Sequence, residues 1–453
     1  MLSLILLVAF SFLILDYLYL IYLFIFCLVY LVGFLNFSYL VIWLYKFPSF
    51  CVTDIGYYFI FLLIVLFVCL FVLGFFNTSL VFLLFVVFFV FLHFFMSINV
   101  LYMFLYFEFS FVVIYLFVVL WGYNPERLES LSYFLIYSVC GSFPLFGVVS
   151  IFIFYVGSSF CFDCIFQLLL AGSFFYSFSS YSWFFSIYSL IVILGFFFKF
   201  PIWGFHSWLP KVHVEAPYFG SVLLAGLMVK LGLYGIYFFY SFFLFFNLVF
   251  LFFCFLISYL CVSLIISNFC TVRQLDIKSY IAYSSIVHMG LVAISFWSGS
   301  LFSVVGSLLL SVSHGFVSSS LFISTNFFYF FSGTRNLYLN RGYLYSYSVF
   351  VFFWFLFLVI NSSIPFSLGF FSELSLVYVA VNSLFFSSFF VCFNLFFCGL
   401  YCIYLYIVVS HGFSFFSSSL GSFGFSSLYF SFLLLIFFNY FFVLFLMIFC
   451  SIT

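Results

Sequence analysis

The sequence is short of charge. Its 453 residues carry nine basic and nine acidic side chains, 4% of the chain, and the formal net charge is zero. A balance this sparse offers no footing for nucleic acid or for an acidic partner. Glycine-rich phosphate loops are absent too: there is no Gly-x-Gly-x-x-Gly run and no P-loop, so nothing marks a nucleotide site. No Cys-x-x-Cys-His and no iron–sulfur cysteine run occurs, so no redox cofactor is expected in this chain. The thirteen cysteines are scattered through apolar runs. The lone Cys161-Phe-Asp-Cys164 has no second pair and reads as two thiols at a loop edge, not a metal site. The first residues lack the Arg- and Ser-rich look of a transit peptide and read as a first span, since apolar character continues past Asp16 to Leu44.

What fills the chain instead is hydrocarbon. Apolar residues make up 69% of it, 92 residues are phenylalanine, and the mean hydropathy is +1.48. No soluble fold hides that much apolar surface. About 20 apolar residues cross a bilayer as one helix, so the chain has room for a dozen or more spans. A transmembrane barrel would alternate apolar and polar residues, whereas these runs are apolar on every face. The fold class expected is an all-α polytopic membrane protein. The phenylalanine excess reads as thymine-rich coding, such as that of an organellar genome.

Spans are expected twice within 1–45, twice within 56–95, and at about 96–121, 131–156, 183–200, 218–240, 243–268, 279–297, 301–331, 347–372, 374–409 and 427–451. The stretch 157–182 reads as a loop or re-entrant segment, and 411–426 as a loop. Glu126, Arg127 and Glu129 read as a salt-bridged loop cluster. The basic loops at Arg273/Lys278 and Arg335/Arg341 are separated by two spans and therefore face one side. The positive-inside rule makes that side cytoplasmic, or the matrix in a mitochondrion.

Polar chemistry concentrates in 195–235. Lys199 and Lys230 sit inside apolar runs, where an ammonium costs about 2.5–3.5 kcal/mol on insertion scales. Pro201, Pro210 and Pro217 break the same stretch, because proline removes a backbone donor and clashes with the preceding turn. In lipid a broken backbone is tolerated only inside protein or beside a water-filled cavity. Elsewhere Glu108 lies mid-span, His288 and His314 lie well inside apolar runs, and Glu373 follows Pro365. Each buried charge needs a partner or water. Carboxylate, lysine and histidine linked by water suit a proton path. Broken helix ends also suit a solute or ion site, and a purely structural Glu108–Lys199 pair is the third reading. His206 and His213 would share a face of a continuous helix, which suggests metal, but Pro210 separates them and no third ligand is evident. Asp16, Asp54 and His93 read as helix-end or loop residues.

The residues Lys199-Phe-Pro, His206-Ser-Trp-Leu-Pro-Lys-Val-His-Val-Glu-Ala-Pro217 and Lys230-Leu-Gly-Leu-Tyr-Gly235 carry a resemblance. So do Trp121-Gly-Tyr-Asn-Pro-Glu-Arg-Leu128, Arg273-Gln-Leu-Asp-Ile-Lys-Ser-Tyr-Ile-Ala-Tyr-Ser-Ser-Ile-Val-His-Met289, Ser313-His-Gly-Phe-Val-Ser-Ser319 and Glu373-Leu-Ser375. In this order, over about 100–410, they resemble the subunit 4 family of proton-pumping NADH:ubiquinone oxidoreductase, respiratory complex I, itself related to Mrp-type antiporters. Residues 1–95 match mainly in hydropathy. Two positions depart from the family pattern: Phe109-Ser-Phe-Val-Val-Ile lacks a proline usual after Glu108, and Ser372 replaces a glycine before Glu373.

The resemblance implies about 14 transmembrane helices built from two inverted five-helix repeats, each with a discontinuous helix. The breaks fall at Lys199–Pro201 and near Pro365–Glu373. It divides the chain into N-terminal transmembrane helices (1–95), an antiporter-like proton-translocating core (96–409) and a C-terminal loop and helix (410–453). It implies proton transfer by Glu108, Lys199, Lys230, His288, His314 and Glu373, with His206, Lys211, His213 and Glu215 as accessory residues. No cofactor or metal is implied in this chain; the complex would use flavin, iron–sulfur clusters and ubiquinone. Its partners would be the other membrane-arm subunits, the neighbouring antiporter-like subunits 2 and 5 among them, with accessory subunits and membrane lipids. Its place would be the mitochondrial inner membrane, as a multi-pass subunit of an NADH:ubiquinone reductase. An Mrp-type cation/proton antiporter subunit and a passive membrane-arm scaffold are the alternatives.

Overall fold

Inside a bilayer each backbone amide must be satisfied within the protein, and a run of apolar residues does so by coiling into a helix. The computed structural model follows that rule. It describes residues 54–74, 78–122, 124–156, 182–239, 249–298, 300–383, 385–412 and 425–450. The expected spans within 1–45, the Cys161/Cys164 pair and the segment 157–181 lie outside the described residues, as does most of the 411–426 loop.

The helices run in order α1 (Asp54–Gly74), α2 (Thr78–Met96), α3 (Val100–Trp121), α4 (Arg127–Val156), α5 (Ser182–Lys199), α6 (Trp208–Glu215) and α7 (Tyr218–Phe238). They continue as α8 (Val249–Val272), α9 (Ile277–Trp297), α10 (Leu301–Ser332), α11 (Tyr343–Ser346), α12 (Ser348–Asn361), α13 (Leu368–Ser383), α14 (Phe385–Ser410) and α15 (Phe425–Cys450). Among the described residues nine of these are long and apolar enough to cross a bilayer, and parts of α5, α12, α13 and α15 form shorter apolar helices. The chain is an all-α polytopic membrane protein with a discontinuous helix in each half.

The first break runs from Phe200 to Ser207, between α5 and α6. Gly204 turns it with φ +97°, a left-handed conformation open to glycine. Pro210 lies in the first turn of α6, where its missing N–H costs nothing. Pro217 follows the end of α6 and opens α7. The second break, Ser362 to Ser367, separates α12 from α13. It holds two non-glycine residues in the left-handed region, Ser363 (φ 60°) and Phe366 (φ 71°). The helix resumes at Leu368, so Glu373 sits inside the second half-helix and not just beyond a span.

Layering follows from which helices are enclosed. Helix α7 is wholly buried and α9 and α10 nearly so, whereas α2, α4 and α14 turn most of their surface outward. Close approach to α7 needs glycine. A methyl on Gly232 would meet Phe200 N at 2.9 Å and Phe196 O at 3.0 Å, and one on Gly235 would enter the Phe196 ring. Serines of α10 tolerate the apolar interior by donating to carbonyls three residues back, as Ser311 does to Leu308 (2.7 Å) and Ser324 to Leu321 (2.7 Å).

The two basic loops expected on one side meet. An antiparallel bridge joins Asp276 to Asn336, with Ile277 N donating to Arg335 O (3.0 Å) and Leu337 N to Leu275 O (2.8 Å). The expected Arg127 cluster is not an ion pair: neither of the two ion pairs among the described residues includes Arg127, whose Nη1 donates to the Gly122 carbonyl and closes the end of α3.

Candidate functional site

The six residues expected to move protons sit on helices that the fold draws together. Glu108 is mid-way along α3 and Lys199 ends α5, where the break begins. Their charged atoms lie 3.8 Å apart. Lys199 Nζ donates to Phe107 O at 2.6 Å and stands 3.2 Å above the centre of the Phe107 ring. Glu108 Oε1 has no hydrogen-bond partner. The pair is therefore an electrostatic contact with little directional bonding, and Lys199 already has a second set of partners.

Lys230 is fully buried on α7. Just before it, Leu224–Met228 forms a π turn, in which Val229 N reaches back to Leu224 O. A π turn loosens the regular ladder of amide bonds. The Ala225 carbonyl of that turn accepts the Lys230 ammonium. The other partner is His314 on α10, with Nζ 3.1 Å from Nδ1. An ammonium has only donors, so Nδ1 meets it with its lone pair. His314 in turn faces His288 of α9, ring centres 5.4 Å apart.

His288 Nε2 lies 3.2 Å from the Tyr401 hydroxyl and 3.7 Å from Cys398 Sγ, both on α14. Cys398 Sγ reaches the Asn361 carbonyl at 3.4 Å, at the end of α12. Beyond that end, across the second break, lies Glu373 on α13, buried and with its Oε1 lacking a hydrogen-bond partner. A line of buried polar groups thus leads from Lys230 through both histidines to the second break. Tyr401, Cys398 and Asn361 are absent from the set expected from sequence.

The accessory residues take separate places. His206 falls within the first break, not on α6, so it shares no helix face with His213. It stacks on Trp203 (4.2 Å) and its Nδ1 accepts from Gly204 N (3.2 Å). Lys211 lies over the Tyr133 ring at 3.4 Å. His213 is wholly buried against Phe322 (4.5 Å), with neither ring nitrogen hydrogen-bonded. Glu215 pairs with Arg335 at 3.3 Å; Arg335 also donates to Val214 O, and Lys278 to Ala216 O (2.8 Å). Lys278 is a buried cation, not the loop charge expected of it. His93 bonds the Phe89 carbonyl (2.7 Å) at the end of α2. Among the described residues no group of three or more His, Cys, Asp or Glu is placed to hold a metal ion.

Titratable side chains from opposed helices meeting inside a lipid-embedded bundle define a class: polytopic membrane proteins that carry ionisable groups across the bilayer's interior. The family described as NADH:quinone oxidoreductase/Mrp antiporter, transmembrane, matches residues 97–398. The chain belongs to that family. It is 35% identical over 300 residues to NADH-ubiquinone oxidoreductase chain 4 of Locusta migratoria, covering 66% of this chain and 64% of that one. It is 37% identical over 298 residues to the protein of the same name from Ceratitis capitata, covering 66% and 63%. The chain thus spans a little under two thirds of these relatives' length. In fold it is similar to a chain of the solved respiratory complex I from Thermus thermophilus with bound NADH, with a TM-score of 0.73, 18% identity, and 87% and 84% of the two chains covered.

Proposed function

We propose that this chain is an antiporter-like membrane-arm subunit of respiratory complex I and translocates protons across the mitochondrial inner membrane. The observation that carries the reading is the buried contact of Lys230 with His314, and of His314 with His288, on the three most enclosed helices. A structural role would need one counter-charge for Lys230; instead its partner is a second base, which can take its proton.

The cycle begins at Glu108 and Lys199. Separation of the pair removes the opposite charge that favours the ammonium, and the Lys199 proton becomes free to move along water towards Lys230. From Lys230 it passes to His314 and His288, and then towards Glu373 at the second break. NADH oxidation and ubiquinone reduction, on flavin and iron–sulfur clusters held by other subunits, drive the separation. The neighbours are the other membrane-arm subunits, the antiporter-like subunits 2 and 5 among them.

The test is Lys230→Met and Glu108→Ala in the assembled complex in vesicles. Both are expected to cut proton pumping and NADH-driven quinone reduction by about a hundredfold, the scale of a lost proton-transfer group. Unimpaired pumping overturns the reading. Sodium-dependent proton exchange without NADH identifies an Mrp-type antiporter subunit instead.

A further inference from the structure

Four groups meet where α14 crosses α9 and the end of α12. Tyr401 OH lies 3.2 Å from His288 Nε2 and 3.0 Å from Cys398 Sγ. Cys398 Sγ donates to Asn361 O at 3.4 Å, and Asn361 Nδ2 donates to Cys402 Sγ at 3.4 Å. Asn361 is the last residue of α12, and a carbonyl there has no amide one turn on to serve. Two thiols one turn apart on α14 therefore hold the end of α12, one by its backbone and one by its side chain. Bonds to sulfur are weak and easily rearranged. Tyr280 OH donates to Tyr401 O (2.9 Å) and fixes the backbone that carries the phenol.

The Tyr401 hydroxyl has one hydrogen and two acceptors within reach, and His288 decides between them. A neutral His288 with its Nε2 lone pair free accepts that hydrogen. A protonated His288 donates from Nε2 to the Tyr401 oxygen, and the hydroxyl hydrogen turns to Cys398 Sγ. Accepting a bond strengthens the thiol as a donor to Asn361 O, since hydrogen bonds in a chain polarise one another. We propose that Tyr401 and Cys398 form a hydrogen-bond switch that couples the protonation of His288 to the second helix break. No bond to carbon or sulfur is made or broken; hydrogens reorient. The groups facing His288 are His314 from α10, with Lys230 of α7 behind it, and Cys398 and Tyr401 from α14. Next to Asn361 lies the segment with two left-handed non-glycine residues, Ser363 and Phe366, a backbone held away from its lowest energy. It leads directly into α13 and Glu373. Tyr401 and Cys398 are thus positioning residues for the proton route, and the inference rests on the translocation reading above.

The experiment uses the assembled complex in vesicles, with Lys230→Met as a parallel arm. Tyr401→Phe keeps the ring and removes only the hydroxyl. It is expected to lower protons pumped per NADH about fivefold or more, within the usual span of coupling between sites. The infrared S–H stretch reports the switch directly: a band absent from Cys398→Ser shifts with pH in the parent and stays fixed in Tyr401→Phe. Normal pumping in Tyr401→Phe, or a band that still shifts, overturns the switch. If Lys230→Met also pumps normally, the translocation reading itself falls; if Lys230→Met is dead, only the switch does. Should Tyr401→Phe fail to assemble, Cys398→Ser, which keeps a donor, is expected to pump and Cys398→Ala to lose it; equal pumping in both overturns the proposal.

Discussion

A single side chain shows how burial turns a weak interaction into a strong constraint. Glu215 and Arg335 lie 120 residues apart in sequence, yet Arg335 holds both Glu215 and the Val214 carbonyl. Glu215 is buried, and its Oε2 already lacks a partner. Arg335→Met strands the carboxylate. The loss expected is on the order of 2 kcal/mol, below the full cost of breaking a buried pair because Arg335 is partly exposed. Thermal denaturation of the detergent-solubilised complex reads it, and Arg335→Lys should fall between, since an ammonium cannot make both bonds at once. Glu108, Lys199, Lys230 and the two histidines were legible because an ionisable residue in an apolar run stands out. Tyr401 and Cys398 were not, since phenol and thiol look like two more apolar residues among 36 tyrosines and thirteen cysteines. Their partners come from the crossing of α14 with α9, 110 and 113 residues away, and from the end of α12. The buried amide pair Asn268–Asn394 (2.6 Å) escaped for the same reason.

Helices α5 and α7 meet through glycine, and that contact sets where the two lysines stand. Gly232 admits the backbone of Phe196 and Phe200, and Gly235 admits the Phe196 ring. Gly235→Ala is expected to destabilise the chain by about 1–3 kcal/mol, as overpacking of a filled interior does. The amount of assembled complex measures it, and adding Phe196→Leu to Gly235→Ala should recover most of the loss. At this scale the first break was legible from Pro201, Pro210 and Pro217, and the second from Pro365. The π turn before Lys230 was not: Leu224–Met228 contains no proline, and its geometry comes from how α7 packs, not from a residue type that demands it.

The molecule as a whole is sorted by what surrounds each helix. Leu101, Leu105, Phe109, Val112, Leu116 and Leu120 form one outward stripe along α3, spaced three or four residues apart. Glu108 lies beside that stripe and yet turns towards Lys199. Phe109, 61% exposed at mid-helix, is the sensitive position. Phe109→Lys is expected to cost about 2.5–3.5 kcal/mol of insertion, whereas Glu126→Lys, in the connection before α4, should cost little. Membrane-insertion efficiency of the two variants checks the contrast. Composition alone announced a multi-span bundle. It did not by itself say which helices lie inside; the enclosed α7, α9 and α10 are the less hydropathic spans, because they spend positions on glycine and serine for close contact.

The bridge between Asp276 and Asn336 has a mechanical meaning. Helices α9 and α10 follow one another after Trp297, and the bridge ties their far ends, at Ile277 and just past Ser332. Together they form a beam pinned at both ends, with His288 on one member and His314 on the other. Such a beam resists shear, which holds the spacing of the two imidazoles. The joints left unpinned are the π turn beside Lys230 on one flank and the gap between α12 and α13 on the other. On the proposed proton route, the histidines would be the fixed bearing between its two ends.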